Sequence, residues 1–350
     1  MNLANTHPGV PISYAATFYD FLKKNGLAAD DIYAYAGVNT KCFDDPNNKV
    51  SLTQYITLSQ QGLVASNNPG LGLVFGSQIA LTDHNYLGFA LQTCSNGLQA
   101  NELMCRYMSM RFPSLKMQLI EDENHYTLTI EDWLDEPSLH LYNLEMVMAA
   151  IYKGALSLHY MDRLQRLGNE QKERVFDNIL EIQFEYPRPN HFSQYQRVFS
   201  KQTLSFDQGK CRLLLNKEAL LKPFSFFNSG SLKLAESLCV EELKGVWGIE
   251  PISTKVYNLL LDSPLSFTGL EDMAKHLNLS IRALSRALNE EDTSYQKIVD
   301  TVKKQLAIQH LNTSQLSIAQ IAYQLGFEQP TNFTRAFKKW TGQSPSAYRL

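Results

Sequence analysis

The sequence predicts an α+β N-terminal domain followed by an all-α C-terminal domain with two helix-turn-helix units joined by a long linker helix. Three observations carry this. The chain has 350 residues, too many for one comfortable core and suited to two domains of roughly 100 to 200 residues each. The first 230 residues mix helical periodicity with alternating, strand-like segments. The last hundred residues contain an internal repeat with helical periodicity throughout. Apolar residues make up 44% and charged residues 19%, a composition that buries a real core and differs from that of disordered chains. The expected boundaries are 1–230 for the first domain, 231–250 for a linker helix and 251–350 for the second domain.

In the first domain, residues 11–43 read as helical, with Tyr14, Phe18 and Phe21 on one buried face. The run LGLVFG (71–76) fits a buried strand or turn better than a nucleotide-binding loop, because apolar residues stand between its glycines. A helix is expected over 98–112, then a hairpin over 117–130 whose alternation turns over at Glu121-Asp122-Glu123-Asn124. The apolar stretch 139–160 is interrupted by Asn143, Glu145 and Lys153. It falls short of the roughly 20 apolar residues that a membrane span needs and reads as a buried or amphipathic helix. Residues 191–224 run helix, strand, turn at Asp207-Gln208-Gly209, strand. Helix then hairpin would thus occur twice, as in a duplicated unit. The segment 231–244 is amphipathic enough for a partner helix.

In the second domain, DMAKHLNLSIRALSRAL (272–288) recurs as QIAYQLGFEQPTNFTRAF (320–337). Each copy opens with an amphipathic helix: Leu270, Met273, Ala274 and Leu277 in one, Ile318, Ile321, Ala322 and Leu325 in the other. Each has a capping-box start, Thr268-x-x-Glu271 and Ser317-x-x-Gln320, and each ends at a residue that tolerates a left-handed backbone, Asn278 or Gly326. A second helix follows, with Ile281, Leu284 and Leu288 inward in the first copy and Phe333, Ala336, Phe337 and Trp340 inward in the second, where Pro330 suits the first helical position. Between the copies, 294–311 lacks Pro and Gly and places Ile298, Val302 and Leu306 at i+4 steps, the pattern of a linking helix. Two helix-turn-helix units spaced by about 34 Å could reach successive major-groove faces of one duplex.

The outward residues suit that task. The first recognition helix presents Arg282, Ser285 and Arg286, the second Thr331, Asn332 and Arg335. Arg can bond guanine O6/N7 and Asn can pair with adenine, each worth roughly 1–3 kcal/mol of discrimination. Arg286 is equally suited to a structural or phosphate contact. Lys338 and Lys339 fit phosphate contacts or plain surface charge, and the capping residues Thr268 and Ser317 lie where a phosphate could also be held. The charge distribution points the same way, modestly. The whole chain is −3, but residues 245–350 hold 11 Lys/Arg against 9 Asp/Glu, leaving 21 against 26 for residues 1–244.

The stretch 318–349, with Gly326-Phe327, the Phe-x-Arg-x-Phe-Lys run at 333–338 and the Thr-Gly-x-Ser-Pro-x-x-Tyr-Arg tail at 341–349, resembles the AraC/XylS family of bacterial transcription regulators from end to end. The resemblance extends over 252–350. The Phe-Asp-Gln segment at 206–215 is similar to the branch that includes ornithine-utilisation regulators, which implies an effector domain other than a small jelly-roll barrel. The resemblance further implies double-stranded promoter DNA as partner, a small-molecule effector at residues the sequence does not reveal, contact with RNA polymerase, and a homodimer.

No enzyme is expected. There is no G-x-S-x-G, no phosphate loop with Lys and no His pair at metal spacing, so neither a metal nor a cofactor is expected. The start lacks a secretory pattern, and Cys42, Cys94, Cys105, Cys211 and Cys239 have no C-x-x-C spacing, which together suggest reduced thiols in the cytoplasm. Three alternatives stay open: a constitutive DNA binder whose N-terminal domain only dimerises, a module that holds a partner protein, and an enzyme fused to a DNA reader.

Overall fold

The computed structural model describes residues 9–112, 114–134, 136–165, 178–200, 202–247, 252–262, 269–291, 293–313 and 316–349. It divides into two compact units, Met1–Trp247 and Gly248–Leu350.

The first unit opens with strand β1 (Val10–Pro11), helices α1 (Ile12–Lys24) and α2 (Ala29–Tyr35), and strand β2 (Lys49–Val50), which pairs antiparallel with β1. Tyr14, Phe18 and Phe21 are buried on α1 as expected. Helices α3 (Leu52–Ser66), α4 (Leu71–Gly76), α5 (Asn85–Leu91) and α6 (Gly97–Arg111) follow. LGLVFG is therefore helical, contrary to the strand or turn expected of it. Its glycines serve close packing: a Cβ at Gly72 or Gly76 would overlap the carbonyl of Tyr142 or Met146. That tight helix-to-helix approach is invisible to local propensity.

The hairpin β3 (Leu115–Glu121) and β4 (His125–Asp132) forms as expected and leads into the long helix α7 (Pro137–Gln165). Within α7, Glu145 is fully buried. Its Oε1 accepts from Tyr195 Oη at 2.5 Å and meets His191 Nε2 at 2.6 Å, partners that make burial of a carboxylate tolerable. Strand β5 (Ile179–Gln183), helix α8 (Phe192–Val198), strands β6 (Leu204–Ser205) and β7 (Cys211–Asn216), and helix α9 (Lys217–Leu221) complete the layer.

The larger sheet has the order β3-β4-β7-β5-β6. The second expected hairpin does not exist as such. The turn at Asp207-Gln208-Gly209 is real, with φ of 59° at Asp207 and 49° at Gly209, but β5 lies between β6 and β7, parallel to the first and antiparallel to the second. The idea of a duplicated helix-hairpin unit falls with it. Helices and a mixed sheet make up this unit, and no barrel forms among the described residues.

The helix expected as a linker is α10 (Ser229–Trp247), and it packs inside the first unit. Leu232, Ala235, Cys239 and Leu243 are buried in the common core. Two arginines of α6 hold its carboxylates: Arg106 Nη1 lies 3.1 Å from Glu236 Oε1, and the fully buried Arg111 pairs with Glu242. The apolar face of α10, expected to serve a partner, is occupied at home. No helix among the described residues is long and apolar enough to cross a membrane.

The second unit comprises α11 (Ile252–Asp262), α12 (Leu270–His276), α13 (Ile281–Glu290), α14 (Tyr295–Thr313), α15 (Ile318–Gln324), α16 (Pro330–Thr341) and α17 (Pro345–Tyr348). It has two small cores. One gathers Val256, Tyr257, Leu260, Met273, Ala274, Leu284 and Leu288; the other gathers Ile321, Ala322, Leu325, Phe333 and Phe337. Helix α14 belongs to both, giving Ile298 and Val302 to the first and Ala307, Ile308 and Leu311 to the second, while Leu306 touches each. One continuous helix thus fixes the spacing of the two units, because neither core closes without it.

Candidate nucleic-acid interface

Each recognition helix is positioned by the turn before it. Asn278 has φ 55° and Gly326 φ 73°, the left-handed conformation that stops the preceding helix and reverses the chain. Helix α13 then starts at Ile281, capped by Ser280, whose hydroxyl accepts from Ala283 N at 3.1 Å. Helix α16 starts at Pro330, as its fixed φ favours.

The inward faces are Leu284 and Leu288 on α13 and Phe333 and Phe337 on α16, all buried. Ile281 differs from expectation: it is 46% exposed, because it occupies the first helical position, where the side chain overhangs the end of the core. Arg282 and Arg286 are exposed and Ser285 is half-buried on the opposite face of α13. On α16, Thr331, Asn332 and Arg335 are exposed, and Arg335 Nη2 donates to Asn332 Oδ1 at 2.8 Å. These two side chains, three residues apart on α16, form one hydrogen-bonded pair facing solvent. Lys338 and Lys339 are exposed on the last turn of the same helix.

The expected capping boxes fare differently. Ser317 accepts from Gln320 N at 3.2 Å while its own N donates to Gln320 Oε1 at 2.8 Å, the reciprocal pattern. Thr268 lies outside the described residues, and its expected capping box with it; among the described residues α12 begins after Gly269, which has no side chain to cap it.

Several residues hold the interface: Glu291 is not singled out by the sequence, and the tail at 341–349 reads there only as a family motif with no role for each residue. Glu291, just past α13, receives Ile252 N and Ser253 N at 2.9 Å each and so caps α11. Thr341 is buried and donates to Phe337 O at 2.8 Å. Gly342, φ 77°, ends α16; Ser344 caps α17; and Arg349 donates to Leu316 O, tying the tail to the start of α15. Between the two helix-turn-helix halves of the second unit lies a cleft of about 960 Å³, floored by Gln296, Val299 and Lys303 of α14 and bordered by Ser285 and Glu328. Ser285 belongs both to the outward face of α13 and to this cleft.

Residues 273–350 match the family profile described as a helix-turn-helix domain. Residues 26–166 match the profile described as the arabinose-binding domain of AraC transcription regulator, N-terminal. The ornithine utilization regulator of Pseudomonas aeruginosa is 30% identical over 340 residues, covering 97% of this chain and 96% of the relative. The chain belongs to the AraC/XylS family. Like other members, it is a helix-turn-helix transcription regulator that binds DNA. An uncharacterized HTH-type transcriptional regulator of Mycobacterium tuberculosis is similar over 97% of this chain and 95% of its own length, at 21% identity. Among solved structures, the transcriptional regulator CdpR of Pseudomonas aeruginosa aligns over 91% of this chain and 96% of its own, with 20% identity and a TM-score of 0.42.

Proposed function

We propose that this AraC/XylS regulator reads a bipartite promoter site with its two recognition helices and that a small molecule bound by its first unit controls the reading. In the first helix Arg282, Ser285 and Arg286 face base edges; in the second, Thr331, Asn332 and Arg335 do. Lys338, Lys339 and Ser317 contact phosphate, and the same role is proposed for Thr268. The observation that carries this reading is the pairing of two exposed polar faces, each opposite a buried apolar seam and each preceded by a left-handed turn. The Arg335–Asn332 bond supports the assignment, since it holds a guanidinium toward solvent before DNA arrives and reduces the ordering cost of binding.

Control by an effector is a population shift: the ligand must bind the DNA-competent or the incompetent arrangement more tightly. The names of the family profile and of the Pseudomonas relative make L-arabinose and L-ornithine the first compounds to test. Contact with RNA polymerase, homodimerisation and a cytoplasmic, non-enzymatic role complete the proposal. The dimer would use a surface other than the buried face of α10.

Selection of bound duplexes from a random pool, with the full chain at two salt concentrations, tests the reading. A motif of two elements about one helical turn apart is expected, with Arg335→Ala relaxing one element and Arg282→Ala the other. Loss of Lys338 should weaken all sequences alike and lower the salt dependence by about one charge. Uniform recovery of unrelated sequences would reject it.

A further inference from the structure

We propose that the first unit binds a neutral, largely apolar small molecule with one hydrogen-bonding end, in a cavity enclosed by α6, α7 and the sheet. This rests on the reading that the first unit takes an effector, and it names the chemical class and the place. Two adjoining lobes, of about 60 and 30 Å³, share Leu81, Leu91, Met104, Ile151 and Gly154 in their walls.

The gap has a sequence cause. On α6, Gly97 and Ala100 share a face with Met104 and Met108; on α7, Gly154 and Ala155 share one with Ile151 and Leu158. Ala100, Gly154 and Ala155 thus stand where larger residues would close the core, and packed interiors seldom leave such a gap. Gly97, by contrast, already packs against Leu220, whose Cδ2 an added Cβ would meet at 2.8 Å. Apolar voids of about 150 Å³ take up benzene, so the lobes must widen to admit a ring or a short alkyl chain. Met104, Met108 and Met146 line the smaller lobe, and unbranched thioether side chains rearrange at little cost. Gly154 and Ala155 are only half-buried, which gives the larger lobe a way to the surface.

The walls also set the polarity of the guest. No Asp, Glu, Lys or Arg lines either lobe among the described residues. His84 bonds Tyr14 and is held neutral by burial and by the Arg111 charge, which bring its pKa down to about 3. At the far end of the larger lobe, Asn178 and His159 are hydrogen-bonded to each other, with Asn101 nearby in the wall. A charged amino acid would be buried there without a counter-charge, and a pentose would leave most of its hydroxyls unpaired. A neutral aryl or alkyl body with a single hydroxyl, carbonyl or amide suits both ends. The same α6 that forms the wall at Met104 and Met108 grips α10 through Arg106 and Arg111. α10 is the last helix before the chain enters the DNA-binding unit, so an occupant that shifts α6 acts on those two ion pairs.

The test uses the full chain. Melting temperature is followed with p-cresol, benzyl alcohol and 1-hexanol as neutral probes and with L-ornithine and L-arabinose as polar ones, on the wild type, Ala100→Leu and Ala155→Leu. At least one neutral probe is expected to raise the melting temperature saturably, as binding to the folded state requires. Each filled variant is expected to unfold in a single cooperative transition and to need at least tenfold more probe for the same shift. No response to any neutral probe, or an equal response in the filled variants, overturns the proposal. If L-ornithine or L-arabinose stabilises all three proteins alike, the cavity and its ligand class are wrong while effector binding by this protein stands. If metabolites of every class leave the melting temperature unchanged, both readings fail. Should the filled variants not fold, crystals of the full chain grown with 4-iodophenol locate the probe by its iodine: density between Ala100 and Ala155 supports the proposal, and density only elsewhere overturns it.

Discussion

The two helix-turn-helix units share a helix and a plan, yet they are closed by different chemistry. The first has a mainly aliphatic core around Met273, Leu284 and Leu288, with Tyr257 as its one buried ring among the described residues, and its opening helix α12 follows a glycine, Gly269. The second has an aromatic core in which Phe333, Phe337 and Tyr348 stack edge to face or tilted, a full capping box at Ser317, and a tail that Arg349 fastens back to Leu316. The family motif in the second unit therefore consists largely of residues that close the fold: Gly326, Phe333, Phe337, Thr341, Gly342, Ser344, Tyr348 and Arg349 are each buried, bonded or in a left-handed turn. A strong family resemblance is here a statement about packing. The residues proposed to read bases lie on the opposite face, where packing does not dictate identity.

The largest expected effect separates the units outright. Phe337→Ala removes a fully buried ring from a core of few side chains and should cost about 3–5 kcal/mol of stability. Because α14 gives separate residues to each core, the first helix-turn-helix should keep its fold. In selection from random duplexes the variant is expected to recover one element of the bipartite site and lose the other. Loss of both elements would show that α14 transmits unfolding from one core to the next, making the pair a single cooperative block.

Base reading sharpens the comparison at a smaller scale. Arg335→Ala should weaken binding to the preferred site by roughly 1–3 kcal/mol and Arg282→Ala by a similar amount. The two differ in support, since Arg335 is held by Asn332. Asn332→Ala is expected to reduce discrimination at the base facing Arg335 as well as at its own, measured as relaxed preference at two adjacent positions. If Asn332→Ala relaxes one position only, the bond between them is incidental to recognition.

These contrasts also explain what could be read from the chain alone. The second-domain plan was legible because helical periodicity, left-handed turn residues and caps are local, and Asn278, Gly326, Ser317 and Pro330 all act within a few residues of themselves. Elements that depend on distant partners were not. The glycines of LGLVFG make sense only against the carbonyls of Tyr142 and Met146; β6 and β7 look like a hairpin until β5 is placed between them; and α10 looks like a free amphipathic helix until Arg106 and Arg111 reach it. Of the interface residues, the outward positions of both recognition helices followed from periodicity. Glu291 did not, because it caps a helix 38 residues earlier in the chain, at Ser253.

The caps give the next contrast. Ser317→Ala should cost the second unit about 1 kcal/mol. Glu291→Ala, which frees two backbone N–H groups at the start of α11, should cost the first unit a comparable amount in chemical denaturation.

The smallest predicted effect runs in the opposite direction. Gly269 precedes α12 with φ 178°, extended backbone open to any residue, and a Cβ there meets nothing within 4 Å. Serine at an N-cap exceeds glycine by a few tenths of a kcal/mol, so Gly269→Ser should stabilise the first unit by that much. Because Gly269 also borders the cleft between the two helix-turn-helix halves, the variant tests whether that opening is tuned for stability or for binding. A gain in denaturant midpoint with unchanged DNA affinity would mean that glycine at 269 serves neither stability nor binding; the same gain with weaker binding would mean that this position must stay free of a side chain for the protein to meet its DNA.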